Sequence, residues 1–270
     1  MSFRKNTYLT TLIIAIFSFL CEAQTLSVLP YSSVITGAER FEQYLPDLKN
    51  KKVAVLTNQT GIVGNKSIVD TLLSLGVDIV KVFGPEHGFR GNSDAGIHVS
   101  DQIDLATKLP VISLYGKHKK PTAEDLKSVD VLIYDIQDVG VRFYTYISTM
   151  CLAMEACAEN SISVIILDRP NPNGFYIDGP VMQNDLKSFL GMHNIPLVYG
   201  MTAGEYATMA NQEKWLSDSL KCNLKIIACL NYDRNSSYEL PMLPSPNLRS
   251  AKSILLYPSL GLFEGTEMSI

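Results

Sequence analysis

The sequence lacks the motifs by which many α/β proteins hold a nucleotide or a metal. Neither GxGxxG nor GxxxxGK[ST], the glycine-rich loops that cradle phosphate groups, occurs in its 270 residues. Histidine is scarce, and His98, His118 and His193 are scattered without the spacing of a zinc site. No two of the 5 cysteines form a CxxC pair. We therefore expect neither a bound dinucleotide nor a metal, and no cofactor is predicted.

Positive charge is also limited. The formal net charge is -4, and the longest basic run is the short segment from Lys117 to Lys120. Nucleic-acid-binding proteins concentrate Lys and Arg on one face, so nucleic acid is not an expected partner. With 46% hydrophobic and 19% charged residues, the composition is that of a globular protein.

The N-terminus has the order of a secretory signal. Arg4 and Lys5 precede the apolar run Leu12–Leu20, and small residues follow before Gln24. We predict a signal peptide over residues 1–23 and export to the periplasm. The apolar run is too short to span a bilayer, so no transmembrane segment is expected after the signal is removed.

Export permits disulfides, but the sequence indicates no pairing. Cys151 and Cys157 fall in an apolar helical pattern, which favours buried free thiols over a disulfide or a nucleophile. The disulfide state stays open at this stage for all four cysteines after the signal, which are Cys151, Cys157, Cys222 and Cys229.

The fold class follows from short apolar runs that alternate with helical patterns. Five runs rich in Val and Ile predict strands buried on both faces: Val53–Thr57, Val77–Phe83, Val111–Tyr115, Val131–Ile136 and Ile162–Leu167. The helical patterns between them are Ser67–Leu75, Thr122–Val129 and Thr145–Glu159. This alternation predicts an α/β protein with a Rossmann-like, doubly wound, mostly parallel sheet.

The sequence pattern changes near residue 235, where the alternation of apolar runs and helical patterns ends. The segment Tyr238–Pro246 carries three prolines, which favours a linker or an extended crossover and not another strand of the sheet. We predict an α/β domain over residues 24–235. Residues 236–270 then form a linker and the beginning of a smaller C-terminal domain, which we expect to be truncated.

Polar side chains follow four of the predicted strands. In an open α/β sheet, ligands bind beyond the carboxyl ends of the strands, so we expect these groups to meet at one edge. The residues concerned are Asn58 after the first strand, Glu86 and His87 after the second, Gln137 and Asp138 after the fourth, and Asp168, Arg169 and Asn171 after the fifth.

Glu86 is the leading candidate for acid–base chemistry. It lies in the turn GPEHGFRG, where glycines allow the backbone to approach a ligand closely and His87 and Arg90 are near in sequence. A carboxyl group tuned by such neighbours can donate or accept a proton. In the alternative, Glu86 is only a turn residue whose carboxylate pairs with Arg90, but that interpretation gives His87 no role.

Asp135 and Asp138 bracket Gln137 at the end of the fourth strand. A pair of carboxylates there suits a shared site or sugar hydroxyls, whereas the alternative is a helix-capping carboxylate. Arg142, Tyr144 and Tyr146 alternate along the next segment and would share one face. Tyrosine rings suit sugars, and the alternative for them is packing at the sheet edge.

The loop Asp168–Gly174 is rigid and polar. Its amides and Arg169 could bind a carboxylate or hydroxyl groups, although Asn, Pro and Gly are also the residues that turns use. Glu205 has capping-box spacing from Thr202, and we favour a structural role for it.

Glu264 is a second carboxylate on a glycine turn, in the sequence LFEGT. If the C-terminal part closes over the strand ends, Glu264 could face Glu86 across a cleft. Glycoside hydrolysis usually needs two such carboxylates, and their separation distinguishes retention from inversion of the sugar.

Four motifs in order, GPEHGFRG, DIQDVGVRFYTYISTM, DRPNPNG and LFEGT, resemble the exo-β-N-acetylmuramidase family, formerly a domain of unknown function. The resemblance extends from about Val34 to the end of the chain. It implies a peptidoglycan-recycling glycoside hydrolase, with a Rossmann-like domain, a smaller second domain and the active site between them. The substrates implied are peptidoglycan fragments that end in N-acetylmuramic acid.

The resemblance also implies roles for particular residues. Glu86 is similar to the catalytic carboxylate of the family turn, with His87 and Arg90 beside it, and the DIQDVG and DRPNPNG loops would line the sugar pocket. As the partner of Glu86 we propose Glu264 or Asp135. The lactyl carboxylate of the sugar would need an arginine, and Arg90, Arg142 and Arg169 are the options. Family chains continue past LFEGT, so we expect this chain alone to have weak activity. A glycan-binding protein without catalysis is the alternative, and Glu86→Gln separates the two.

Overall fold

A computed structural model of the protein describes residues 33–90 and 101–266. The predicted signal peptide, residues 1–23, and His98 lie outside these ranges. Within them, no helix has the length and apolar composition needed to cross a membrane.

The fold is organised around a seven-stranded sheet in the order β5-β6-β4-β1-β7-β8-β9, with a separate β2-β3 hairpin. Neighbouring strands of the large sheet are parallel, except that β5 runs antiparallel to β6. Numbered among themselves, the parallel strands have the order 3-2-1-4-5-6 of a doubly wound dinucleotide-binding sheet. This confirms the predicted fold class. The strands are β1 (Lys52–Thr57), β2 (Ile62–Val63), β3 (Lys66–Ser67), β4 (Asp78–Gly84), β5 (Gln102–Ile103), β6 (Pro110–Ser113), β7 (Val131–Asp135), β8 (Ser163–Leu167) and β9 (Leu224–Ile227).

Helices connect the strands and cover both faces of the sheet. The α-helices are α1 (Leu45–Leu48), α2 (Ile68–Ser74), α3 (Tyr146–Glu159), α4 (Ala203–Gln212) and α5 (Ala251–Leu260). The 3₁₀-helices are Gly37–Glu39, Phe41–Gln43, Asn184–Leu186, Ser217–Ser219 and Gly261–Gly265.

Alternate residues of the central strand β1 enter two separate cores. Ala54 and Leu56 contribute to the core that contains α3 and α4, whereas Val53 and Val55 contribute to the core beneath α2. Because both faces of the strand are buried, its sequence is continuously apolar and not alternating.

One predicted helix is absent, and one parallel strand of the sheet was not predicted. Residues 122–129 form turns and not a helix. The ammonium group of Lys81 binds the carbonyl oxygen of Asp125, which a continuing helix would need for itself, and Ser128 has a positive φ of 62°. Strand β9 was not predicted because it lies at the sheet edge and is only partly buried, so it lacks a fully apolar run.

The proline-rich segment after residue 237 forms no strand of the sheet, as predicted. It crosses the carboxyl edge, where the carbonyl oxygen of Pro244 accepts hydrogen bonds from Gln59 Nε2 at 3.2 Å and from the Tyr144 hydroxyl at 2.8 Å. Ile254 and Tyr257 of α5 then enter the same core as α3. The predicted domain boundary at residue 235 stays a prediction.

Candidate active site

The Glu86 turn begins where β4 ends. The N–H group of Gly88 donates to the Pro85 carbonyl oxygen at 2.9 Å and closes a tight turn around Glu86 and His87. His87 and Gly88 have consecutive positive φ values of 70° and 74°. Such a backbone is strained for histidine, and strain of this kind tends to occur at functional sites. Glu86 is half-buried, and His87 is buried.

Two tyrosines, Tyr115 and Tyr146, lie next to Glu86. Burial, and secondly the negative charge of Glu86, raise the pKa of Tyr115, so the Tyr115 hydroxyl lies near the Glu86 carboxylate. The Tyr146 hydroxyl lies 3.5 Å from the Glu86 carbonyl oxygen. Burial raises the pKa of Tyr146, and the adjacent Asn58 side chain opposes this rise. Sequence reasoning missed Tyr115 because it treated the residue only as the end of an apolar strand.

Glu264 is close enough to Glu86 for the two charges to interact. Partial burial, and secondly the charge of Glu86, raise the pKa of Glu264, whereas a hydrogen bond with the Tyr257 hydroxyl lowers it. Glu264 lies in the 3₁₀-helix Gly261–Gly265, which directly follows α5. The fold thus brings together two carboxylates that are 178 positions apart in the sequence. Their catalytic roles stay predictions.

Asp135 and Arg169 bind each other in the protein interior. Arg169 Nε lies 2.6 Å from Asp135 Oδ1, Arg169 Nη2 lies 2.9 Å from Asp135 Oδ2, and both side chains are almost fully buried. Burial raises the pKa of Asp135, and the guanidinium group opposes that rise. Arg169 also donates to the carbonyl oxygen of Ile62 at 2.9 Å. This pairing holds both side chains in the fold, and the catalytic and binding roles predicted for them stay predictions.

Asp138 and Gln137 have buried oxygen atoms without a hydrogen-bond partner among residues 33–90 and 101–266. Asp138 Oδ2 accepts from the Tyr199 hydroxyl and from the Gly140 N–H group at 2.7 Å, but Oδ1 has no such partner. Burial raises the pKa of Asp138 to about 6. Gln137 Nε2 donates to the carbonyl oxygen of Pro170 at 2.7 Å, while its Oε1 is unpaired.

The loop that begins at Asp168 uses its polar groups mainly for turn and capping bonds. Asp168 accepts from the Gly204 N–H group at 2.9 Å and from the Thr202 hydroxyl at 2.6 Å, at the start of α4. Burial raises the pKa of Asp168 to about 6. Asn171 Oδ1 accepts from the Asn173 N–H group at 2.8 Å. These contacts fit the turn-forming alternative. The capping box of Thr202 and Glu205 is confirmed.

Arg90 does not pair with Glu86. Its guanidinium group bridges Asp70 at 3.0 Å and Asp104 at 2.9 Å. The hydrogen bond from Arg90 keeps the pKa of Asp104 far below its usual range. The alternative in which Glu86 merely neutralises Arg90 is therefore wrong.

Arg142 has a different environment. Its side chain is 8% exposed, and Nη1 donates to the carbonyl oxygens of Pro180 at 2.8 Å and Ile195 at 2.6 Å. Within the described ranges it contacts no carboxylate, and burial lowers its pKa. Of the three candidate arginines, it is the one whose charge is not neutralised by a described residue.

The rings of Tyr144 and Tyr146 are buried against each other. Their centroids lie 4.8 Å apart at an angle of 74°, and Tyr257 packs edge-on against Tyr144 at 6.0 Å. These contacts fit the alternative given above, in which the two tyrosine rings pack in the protein and do not contact a sugar. A stacking role for either ring stays a prediction that requires the ring to be uncovered.

The cysteines that the structure describes are free, and Cys151 and Cys157 are buried, as their helical pattern favoured; Cys222 is also buried. In the part of the chain with described coordinates, no three His, Cys, Asp or Glu side chains are grouped so that they could hold a metal ion.

Comparison with known proteins identifies the fold and its family together. Residues 53–252 match the family described as exo-beta-N-acetylmuramidase NamZ, N-terminal. The chain belongs to this family. The resemblance carried by the four motifs is thereby confirmed.

Relatives of known name or structure agree with the NamZ assignment. The peptidoglycan beta-N-acetylmuramidase NamZ of Bacillus subtilis (strain 168) is 46% identical over 233 residues, which make up 84% of this chain. A DUF1343 family protein of Bacteroides fragilis is 50% identical, with a TM-score of 0.79 over 87% of this chain. A second protein of that description from the same organism is 43% identical, with a TM-score of 0.78 over 86% of this chain.

The chain spans about half the length of the curated NamZ relative that it matches. The aligned part is 55% of that protein, and 63% and 60% of the two Bacteroides fragilis chains.

Proposed function

We propose that this protein is an exo-acting glycoside hydrolase that releases N-acetylmuramic acid from the non-reducing end of peptidoglycan fragments. Glu86 is the general acid and Glu264 is the second carboxylate. The protein is exported by its N-terminal signal and acts in the periplasm.

The interaction between Glu86 and Glu264 carries the proposal. Hydrolysis of a glycosidic bond needs one protonated and one ionised carboxyl group beside the bond. Two neighbouring carboxylates do not ionise independently, because the charge on one raises the pKa of the other. Burial, and secondly the charge of Glu86, raise the pKa of Glu264, so the two carboxyl groups lie close enough to interact.

The surroundings suit the same chemistry. Hydroxyl groups of Tyr115, Tyr146 and Tyr257 lie beside the two glutamates, where they can orient the carboxyl groups and bind sugar hydroxyls. The pair also lies at the carboxyl edge of the sheet, the usual place for a ligand in this fold.

Arg142 is the proposed contact for the lactyl carboxylate that distinguishes N-acetylmuramic acid from N-acetylglucosamine. Arg90 and Arg169 already bind carboxylates of the protein. A buried guanidinium group without a counter-charge favours an incoming anion, and the fork geometry of arginine suits a carboxylate.

The test is release of para-nitrophenol from the β-N-acetylmuramide, with the β-N-acetylglucosaminide in parallel. We expect cleavage of the muramide and little cleavage of the glucosaminide. Glu86→Gln should abolish turnover while binding of a muramic-acid saccharide, measured by calorimetry, is retained. Glu239→Gln is a matched control, because Glu239 is exposed and makes no hydrogen bond or ion pair with another described residue.

Binding by the wild type without turnover in this assay, and on natural peptidoglycan fragments, would contradict the proposal. That result would favour the glycan-binding alternative. A mature form that is retained in the cytoplasm when the natural gene is expressed would contradict export.

A further inference from the structure

The neighbouring strands β4 and β6 place a tyrosine directly beside the proposed general acid. The two strands are parallel, with Phe83 opposite Ile112 and Gly84 opposite Ser113. The Leu114 N–H group donates to the Gly84 carbonyl oxygen at 2.8 Å and extends this ladder beyond the strand. Glu86 lies two residues after Gly84, and Tyr115 lies two residues after its partner Ser113. Their proximity therefore follows from the strand register together with the turn that closes around Glu86.

The side chains interact where the backbone register brings them together. Tyr115 is half-buried, and its hydroxyl is near enough to the Glu86 carboxylate for the negative charge to raise its pKa. Gly116, with a φ of 72°, turns the chain away immediately after the tyrosine. On the other side of Glu86, the left-handed backbone of His87 fixes the turn. The backbone of Glu86 is thus held firmly, whereas its side chain still has rotatable bonds.

We propose that Tyr115 is a positioning residue, whose hydroxyl fixes the direction of the Glu86 carboxyl group toward the scissile bond. The inference rests on the proposed function of Glu86. A glutamate has three rotatable side-chain bonds, and a small error in the placement of a catalytic group costs much of the rate. Hydrogen bonds of this kind are often long in the free enzyme and tighten when substrate binds.

Kinetics of Tyr115→Phe test the role in the reaction. A hydrogen bond to a charged group is strong enough that its loss should lower kcat about tenfold to a hundredfold. KM should change less than about twofold, because the hydroxyl acts on Glu86 and not on the substrate. Tyr176→Phe is the matched control: this half-buried tyrosine packs on Phe175 and makes no hydrogen bond through its hydroxyl to another described residue. We expect Tyr176→Phe to retain wild-type kinetics.

A spectroscopic measurement tests the contact without any turnover. With tyrosines labelled at ¹³Cζ, the Tyr115 resonance is assigned by its loss in Tyr115→Phe. Its chemical shift should move between pH 8 and pH 3 as the carboxyl partner takes up a proton. This movement should be absent in Glu86→Gln, while the Tyr176 resonance behaves alike in both proteins.

The two measurements separate failure of this inference from failure of the proposed function. A pH-dependent Tyr115 signal that persists in Glu86→Gln overturns the contact, whether or not the protein cleaves a muramide. An active wild type whose kcat is unchanged by Tyr115→Phe overturns the positioning role. A wild type without turnover would contradict the proposed function. It would also contradict the positioning role, even if the spectroscopic contact is present.

Discussion

The Tyr144 hydroxyl donates a hydrogen bond to the carbonyl oxygen of Pro244 over a distance of 2.8 Å. The two residues are separated by 100 positions in the sequence, and the bond is buried. It ties the start of α3 to the proline-rich segment that leads into α5 and Glu264. The position of the second carboxylate therefore depends on contacts made well before it in the chain.

Tyr144→Phe should weaken this connection without removing the ring from the core. We expect a loss of about 1 kcal/mol in the free energy of unfolding, the usual value for one hydrogen bond. Turnover should fall more than this small loss of stability explains, because Glu264 becomes less firmly placed. Urea unfolding and steady-state kinetics, with Tyr176→Phe as control, provide the measurement. Wild-type turnover in a destabilised Tyr144→Phe variant would argue against this coupling.

Glu264→Gln should lower kcat roughly a hundredfold or more, as expected for loss of a general acid or base. The side chain is at most partly buried, so the free energy of unfolding should change little. Glu239→Gln, on the segment just before α5, controls for the loss of one surface charge. Full activity in Glu264→Gln would exclude it as the second carboxylate.

Asp135→Asn should act on stability. It leaves the buried guanidinium group of Arg169 without its counter-charge, which typically costs about 3–5 kcal/mol. Arg169→Met should cost a similar amount, and the double variant should be less destabilised than the sum of the two, since neither charge is then left alone. Thermal unfolding of the three variants measures this. If Asp135→Asn were inactive but as stable as the wild type, the result would support the catalytic role predicted for Asp135.

His193 should make stability depend on pH. Burial lowers its pKa to about 4, and the ring stacks on Trp215 at 4.8 Å. Because the folded pKa lies below the unfolded value of about 6.5, the neutral ring stabilises the fold above pH 6.5, and this contribution is lost as the pH falls toward 4. Asp138 and Asp168, with raised pKa values of about 6, act in the opposite direction over that range.

His193→Phe isolates the histidine contribution, because phenylalanine keeps a stacked ring but does not titrate. Between pH 7 and pH 4, its free energy of unfolding should decline less than that of the wild type. The difference should be on the order of 2–3 kcal/mol across the window. Parallel curves for the two proteins would show that His193 is not buried in its neutral form.

Arg142→Met should reduce discrimination for the lactyl group. We expect the ratio of inhibition constants for N-acetylglucosamine and N-acetylmuramic acid to fall about tenfold to a hundredfold, because a charged hydrogen-bonding contact is lost. The ratio is informative even if the loops held by Arg142 move, since both sugars meet the same altered protein. Arg234→Met removes an exposed arginine and serves as control. An unchanged ratio would assign Arg142 to the fold alone.

The sequence predicted the sheet well because most of its strands are buried on both faces, and their continuous apolar runs are hard to mistake. It also predicted which residues lie at the carboxyl edge, since this follows from strand polarity. It could not tell that Asp135 and Arg169 bind each other, because their pairing depends on side-chain reach between the ends of neighbouring strands β7 and β8. Tyr115 was missed for a similar reason: its contact with Glu86 depends on the register of β4 and β6.

The reversal of strand order between β1 and β7 has a consequence for ligand access. Where dinucleotide-binding relatives of this fold leave a crevice, the Gln137 N–H group donates to Thr60 Oγ1 at 2.9 Å, and the Gln137 side-chain amide reaches the Pro170 carbonyl oxygen. Hydrogen bonds of the Gln137 backbone and side-chain amides thus occupy the region where those proteins have their central crevice. The proposed glutamate pair lies to one side of Gln137, beyond β4, so a sugar bound at that pair would lie away from the point where the strand order reverses.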